Sequence, residues 1–198
     1  MRKSRKETAR TRERIIESAS AEFREHGIVG TGLADLMKAA GLIHGGFYKH
    51  FTSKDELVRE VAAASIGKST ATMKANADKR PGRKGLSTAV ASYLCAAHRD
   101  NPRDGCPFAS LGAELARADA KTRAAATEGF LKYVDVLARH CGTLRSDQAR
   151  KRAMVAAATM IGAITMARVV NDPELSDSIL KNSADSILLQ SEMLFRCD

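Results

Sequence analysis

Residues 31–51, Thr-Gly-Leu-Ala-Asp-Leu-Met-Lys-Ala-Ala-Gly-Leu-Ile-His-Gly-Gly-Phe-Tyr-Lys-His-Phe, leave the chain few ways to fold. Leu33, Leu36, Met37 and Ala40 recur at helical spacing and give a first short helix one apolar face. Gly41 follows and ends that helix, because glycine alone enters the left-handed backbone region without steric cost. Leu42 and Ile43 restart the chain, and a second short helix over about 44–49 turns Phe47 inward. Helix, short glycine turn, helix is the helix-turn-helix geometry, in which the second helix enters the major groove of DNA.

The rest of the chain extends the all-α pattern. A first long helix is expected over about 6–26, with Ile15, Ile16, Ala19 and Phe23 on one side and Gly27 closing it. Thr31 is placed to cap the next helix with its hydroxyl. Ser53-Lys-Asp-Glu56 reads as a capping box, with Glu56 reaching back to Ser53. It opens a helix to about Ala77 that buries Leu57, Val61 and either Ala64 or Ser65. Further helices are expected over about 84–99, after Pro107, and over about 121–140 with Gly142 as the stop. Two more follow, from Ser146 to about Asn171 and over about 174–196. Each of the four prolines sits at a helix boundary. Lys79-Arg-Pro-Gly-Arg-Lys84 is the best linker candidate. The expectation is an all-α fold of about nine helices: an N-terminal DNA-binding domain over 1–52 and a helical effector-binding and dimerisation domain over 53–198.

Composition narrows the class. At 198 residues, 44% apolar and 28% charged, the chain can bury one or two ordinary cores. Its longest uncharged stretch, 153–167, is 15 residues and too short to span a bilayer. The basic N-terminus lacks the apolar run of a signal peptide, so a soluble cytoplasmic protein without membrane contact is expected. The net charge of +9 is unevenly spread: residues 1–14 hold seven Lys or Arg against Glu7 and Glu13. Residues 1–60 as a whole are only +3, from twelve basic and nine acidic groups. A polyanionic partner is therefore argued from a basic arm preceding a specific motif, since such an arm alone is also an ordinary solvated tail.

The last two helices are rich in small and apolar residues, with Ala156, Ala157, Ala158, Gly162, Ala163 and Ala167 among Met and Ile. The final one adds Leu175, Ile179, Leu180, Ile187, Leu188, Met193 and Leu194. They are either two core helices of a monomer or half of a two-fold four-helix interface. A homodimer is expected, because paired helix-turn-helix units need one.

Residues about 10–57 resemble the N-terminal domain of TetR-type transcriptional repressors. The shared positions are Phe23 and Gly27, Thr31, Leu36, Ala39-Ala40-Gly41, Phe47-Tyr-Lys-His-Phe51 and Ser53-Lys-Asp-Glu-Leu57. The resemblance implies an all-helical homodimer with a DNA-binding head and a ligand-binding, dimerising body. It implies that Thr31 caps the second helix at a phosphate, and that Tyr48 and Lys54 bond phosphates. It also implies that His50 faces the DNA backbone and that Ile43, His44, Gly45 and Lys49 face the groove. Such contacts divide into those that position and those that specify. The chain departs from the family pattern inside the recognition helix. Ile43 stands where Ser or Thr is usual and cannot cap, a loss of about 1 kcal/mol. His44 replaces a common Lys or Arg. Gly45-Gly46 weakens the free helix by roughly 2 kcal/mol, which suits either close approach to DNA or a merely flexible turn.

Elsewhere the chemistry is sparse. Cysteines 95, 106, 141 and 197 show no Cys-x-x-Cys or zinc spacing. Cys106 precedes a helix and follows Arg103, which can favour thiolate. Its surroundings, Gly-Cys-Pro-Phe-Ala-Ser-Leu-Gly-Ala-Glu-Leu, are similar to a stretch in the electrophile-sensing branch of the family. A small residue buried at a helix start is the alternative. His98 and His140 have no partners at metal-ligand spacing, and no metal or cofactor is expected. Tyr93, Phe108, Phe130, Tyr133, Met160 and Met166 could line an effector cavity or simply fill the core. The function expected is a repressor bound as a homodimer to a near-palindromic operator and released by a small-molecule effector. A thiol sensor acting through Cys106 is the alternative. An enzyme ranks last, for want of a nucleophile–base pair, paired carboxylates or a cofactor loop.

Overall fold

The structure is a computed structural model, and residues 5–141 and 145–193 of it are described, without the side chains of 190–193. The expected stop at Gly142, the side chain of Met193, Leu194, the helix end at Arg196, and Cys197 lie outside the described residues. Nine α-helices are present among the described residues, joined by turns and two short 3-10 segments. They are α1 Arg5–His26, α2 Leu33–Ala39, α3 Lys54–Ala77, α4 Gly82–Tyr93, α5 Ala96–Asp100, α6 Pro107–Ala116, α7 Ala120–Ala138, α8 Ser146–Val169 and α9 Pro173–Met193. The segment His44–Lys49 has the expected bounds but is a 3-10 turn rather than an α-helix. Ile43 precedes it with no side-chain cap, and two consecutive glycines disfavour a regular α-helix and leave the short, tighter 3-10 turn.

Two apolar cores form. The head core gathers Ile15, Ala19 and Phe23 of α1, Leu36 and Met37 of α2, Phe47, Phe51, and Leu57, Val58, Val61 and Ala62 of α3. Leu111 and Leu115 of α6 complete it. The first turns of α3 thus belong to the head and its remainder to the body. The body core is built mainly from α4, α7, α8 and α9. Where α3 crosses α7, a Cβ on Gly129 would sit 2.4 Å from a methyl of Ile66. A side chain there would force these helices apart.

One local alternative is resolved and three local expectations need correction. On α3 the buried residue is Ser65, whereas Ala64 faces solvent. The capping box is half formed: Ser53 Oγ accepts the Glu56 N–H at 3.1 Å. The Glu56 carboxylate reaches past Ser53, however, and accepts from the N–H and hydroxyl of Thr52, both at 2.6 Å. The helix expected over 84–99 breaks at Leu94 and Cys95, which leave helical geometry. The break is held from afar. His98 Nδ1 bonds the freed Tyr93 carbonyl at 2.7 Å, and Arg168 of α8 donates to the His98 and Arg99 carbonyls at 2.8 and 2.9 Å. Finally, α8 is long and apolar enough by length and composition to cross a membrane. Its inner face, Ala149, Ala153, Ala156, Ala157, Met160, Ala163, Ile164 and Ala167, is instead buried in the body.

Candidate nucleic-acid interface

The turn between α2 and the 3-10 segment is set by Gly41 at φ +67. Its N–H donates to the Lys38 carbonyl at 2.9 Å and the Leu42 N–H to that of Met37 at 2.8 Å. These paired bonds satisfy the helix's last carbonyls and fix the exit angle of the chain. Phe47 then plugs the head core, its ring stacked on Phe51 at 5.5 Å. With Phe47 inward, its neighbours must face out. Ile43 is 82% and Tyr48 66% exposed. His44, Gly45 and Lys49 are exposed as well, and His50 is half-buried. The six-residue turn therefore presents one continuous surface of apolar, aromatic, imidazole and ammonium groups.

Arg12 holds the far end of this surface. Its Nε–H donates to the His50 carbonyl at 3.2 Å, and its guanidinium lies 4.4 Å over the Phe51 ring. Its other nitrogens bond Glu56 at 3.1 Å and Glu60 at 2.6 Å. Arg12 is thus withdrawn from the basic arm and serves as a clamp between α1, the recognition turn and α3. The signal for it was Glu56 and Glu60, one helical turn apart on one face of α3.

Thr31 does not cap α2 as expected, and Lys54 is engaged within the chain. The N-cap of α2 is Gly32, with no side-chain cap. Thr31 is only 3% exposed, and its hydroxyl donates to the Gly27 carbonyl at 2.6 Å. That carbonyl is near the unsatisfied end of α1, so the hydroxyl closes the helix behind it rather than opening the one ahead. Lys54 Nζ donates to the carbonyls of Ile28 and Thr31 at 2.6 and 2.7 Å. The ammonium therefore staples the α1–α2 loop to the start of α3. From the other side, Glu114 of α6 accepts the Val29 N–H at 2.9 Å, and Arg103 pairs with Glu22 at 2.7 Å and with Glu25. None of these cross-links to the body has a sequence signature, because their acceptors are largely backbone carbonyls or distant charges.

The body contains a cavity of about 180 Å³ walled by α1, α3, α4 and the segment before α6. Of the expected pocket residues only Tyr93 lines it. Tyr133 and Met160 are buried in the body core, Phe108 and Phe130 meet edge to face at 5.7 Å beside it, and Met166 is on the outer side of α8. Cys106 also lines the cavity but is 2% exposed, so this conformation withholds its sulfur from reagents in solution. Its N–H donates to His98 Nε2 at 2.9 Å. His98 therefore carries its proton on Nδ1, and burial keeps its pKa below the usual 6.5. Burial likewise pushes Tyr93 and Tyr133 well above 10. His140 pairs with Asp78 at 3.2 Å. Among the described residues no group of three His, Cys, Asp or Glu could hold a metal ion.

Comparison with known proteins bears on both halves. Residues 15–61 match the sequence model described as bacterial regulatory proteins, tetR family. Residues 84–179 match the one described as transcriptional regulator LmrA/YxaF-like, C-terminal domain. The chain is 41% identical over 59 residues to the HTH-type transcriptional regulator TtgR of Pseudomonas putida, a match covering 30% of this chain and 28% of TtgR. It is 28% identical over 169 residues to an uncharacterized HTH-type transcriptional regulator of Mycobacterium tuberculosis, covering 81% of this chain and 86% of that one. The fold aligns with a TetR-family transcriptional regulator from Cytophaga hutchinsonii at a TM-score of 0.76 and 25% identity, over 94% of this chain and 96% of that one.

Proposed function

Because the chain belongs to the TetR family of transcriptional regulators, with its DNA-binding domain at the N-terminus, we propose that it is a repressor. It binds a near-palindromic operator as a homodimer and is released by a small-molecule effector held in the body. The observation that supports this reading is the outward face of the recognition turn, kept in place by buried Phe47. Ile43 is an apolar contact suited to a thymine methyl, and His44 and Lys49 supply donors for base edges or phosphates. The Tyr48 hydroxyl is a phosphate donor, and Gly45 lets the backbone come close. Thr31 and Lys54 act indirectly in this reading, by fixing the loop that carries α2.

The homodimer reading is supported by the outer face of α8. Val155, Met166 and Val169 are exposed there, in line with Ala158 and Gly162. Such an apolar stripe is covered when two α8 helices pack with their α9 neighbours across a two-fold axis. Two recognition turns spaced by roughly 34–36 Å would then meet successive major grooves. The thiol-sensing alternative is not favoured, since the Cys106 sulfur is enclosed. A footprint of the purified protein on DNA upstream of its own gene tests the proposal. A symmetric protected site whose occupancy falls steeply with salt is the expected result, and sequence-blind coating defeats it.

A further inference from the structure

The cavity beside α1 is chemically unlike an aromatic pocket. α3 presents Ser65, Ser69, Thr72 and Asn76 to it at helical spacing, with Lys68 on the same wall. Ser65 is buried and Ser69 and Asn76 are half-buried, while Thr72 and Lys68 are exposed at the cavity's open side; hydroxyls and an amide on this wall suit an occupant with polar groups. A second observation points the same way. Tyr93 is 5% exposed, and its hydroxyl meets no nitrogen or oxygen partner, only the weakly polar Cys106 thiol beside it; the Tyr133 hydroxyl, on a ring 6.5 Å away, has no partner in bonding geometry. Interiors pair nearly all such groups, so a buried phenol on a cavity wall with only a thiol beside it can take a stronger oxygen acceptor.

Charge and size limit what that acceptor belongs to. The cavity is lined by the cations Arg24 and Lys68 against the single carboxylate of Asp104, while His98 is neutral. A second groove of about 340 Å³ shares Arg24, Ser65, Lys68 and Asp104 and continues along α1 past Glu13 and Glu17. Those two carboxylates repel a second negative charge. About 180 Å³ holds the equivalent of about six waters at roughly 30 Å³ each, which fits a molecule of around ten non-hydrogen atoms or fewer. We propose that the cavity takes a small hydroxylated monocarboxylate, its charge on the Arg24 and Lys68 side and a polar oxygen on the Tyr93 hydroxyl. The proposal rests on the reading of the body as an effector domain and names the effector's class. Arg24 is where occupancy reaches the head, because its Nε–H now donates to the Arg103 carbonyl at 2.7 Å. A ligand carboxylate competes for that guanidinium and loosens the tie between α1 and the segment before α6.

The test is calorimetric titration of the full chain with para-hydroxybenzoate and β-hydroxybutyrate, each against its neutral amide. At least one acid should bind about tenfold more tightly than its amide. Lys68→Gln, at an exposed position, should reduce that preference severalfold, with Arg24 left as the remaining cation. Tyr93→Phe, which keeps the ring, should weaken acid and amide alike. Amides equal to acids, variants that change nothing, or no acid binding at about 1 mM overturn the proposal. The same compounds added to the protein–operator complex separate the two claims. An acid that binds without releasing DNA leaves the ligand class standing and removes the effector reading. Release by para-cresol, with no acid bound, does the reverse.

Discussion

Replacing Lys54 with methionine removes the ammonium and keeps most of the aliphatic stem. In the native chain that ammonium donates to the Ile28 and Thr31 carbonyls at 2.6 and 2.7 Å. Charge-assisted hydrogen bonds contribute about 1.5–3 kcal/mol each when buried. Lys54 is half-buried, so water recovers part of the loss, and a total of about 2–3 kcal/mol is expected. In a chain of this length each kcal/mol moves the melting midpoint by roughly 2–4 °C, giving a fall of about 5–10 °C. Thermal melts followed by circular dichroism measure it. Operator binding by fluorescence anisotropy across a salt series supplies the second readout. An ammonium committed to the loop contributes no released counterion, so the slope of log K against log salt should match the native chain. A direct phosphate contact gives the opposite pair of results: an unchanged melt and, with two copies of Lys54 in the homodimer, a slope shallower by about 1.8. That outcome would refute the assignment of Lys54 as a loop staple.

Tyr48→Phe deletes only an exposed hydroxyl, so the melt should stay within about 0.5 kcal/mol of native while operator affinity falls about tenfold; equal affinities would exclude the phosphate bond. Phe47→Ala empties the centre of the head core and should cost about 3–5 kcal/mol, seen as early loss of helical signal and of DNA binding; a native-like melt contradicts the packing described. His98 gives a pH signature. Its folded pKa lies below the ordinary 6.5 because it is buried, a shift opposed by the Tyr93 carbonyl and reinforced by Arg168. As pH falls below about 6.5 the unfolded chain takes up the proton first, so the stability held by neutral His98 is complete above that value and drains away below it. Melting temperature should therefore drop more steeply between pH 6.5 and the folded pKa in the native chain than in His98→Gln; parallel curves would rule this out.

The parts of the fold that were legible in the sequence share a cause. Phe47, Gly41, Leu36 and Phe23 announce themselves through local periodicity or a backbone requirement, and each stands where the spacing put it. What was missed depends on partners far along the chain. Leu94 and Cys95 carry no breaker chemistry, and the break there is secured by Arg168, 69 and 70 residues beyond the carbonyls it binds. Thr31 chose between a cap ahead and a carbonyl behind, and nothing in the local sequence decides that contest. The aromatic and methionine side chains left pocket and core as alternatives: Tyr133 and Met160 are core and Tyr93 lines the cavity. Ser65, Ser69, Thr72 and Asn76 on its wall gave no signal, since hydroxyls and amides on a helix are ordinary in a sequence. The segment His44–Lys49 has the bounds that the spacing predicts, but its 3-10 geometry follows from Gly45-Gly46 and the uncapped Ile43 rather than from apolar spacing.

The central claim is that the turn His44–Lys49 reads DNA as one of a symmetric pair. Hydroxyl-radical footprinting on the DNA upstream of the gene, with native protein and with a Tyr48→Ala, Lys49→Ala double variant, tests it most directly. Two protected patches one helical turn apart, related by a dyad, present with native protein and absent with the variant, are the predicted result. A single asymmetric patch, or protection that survives the double substitution, would contradict it.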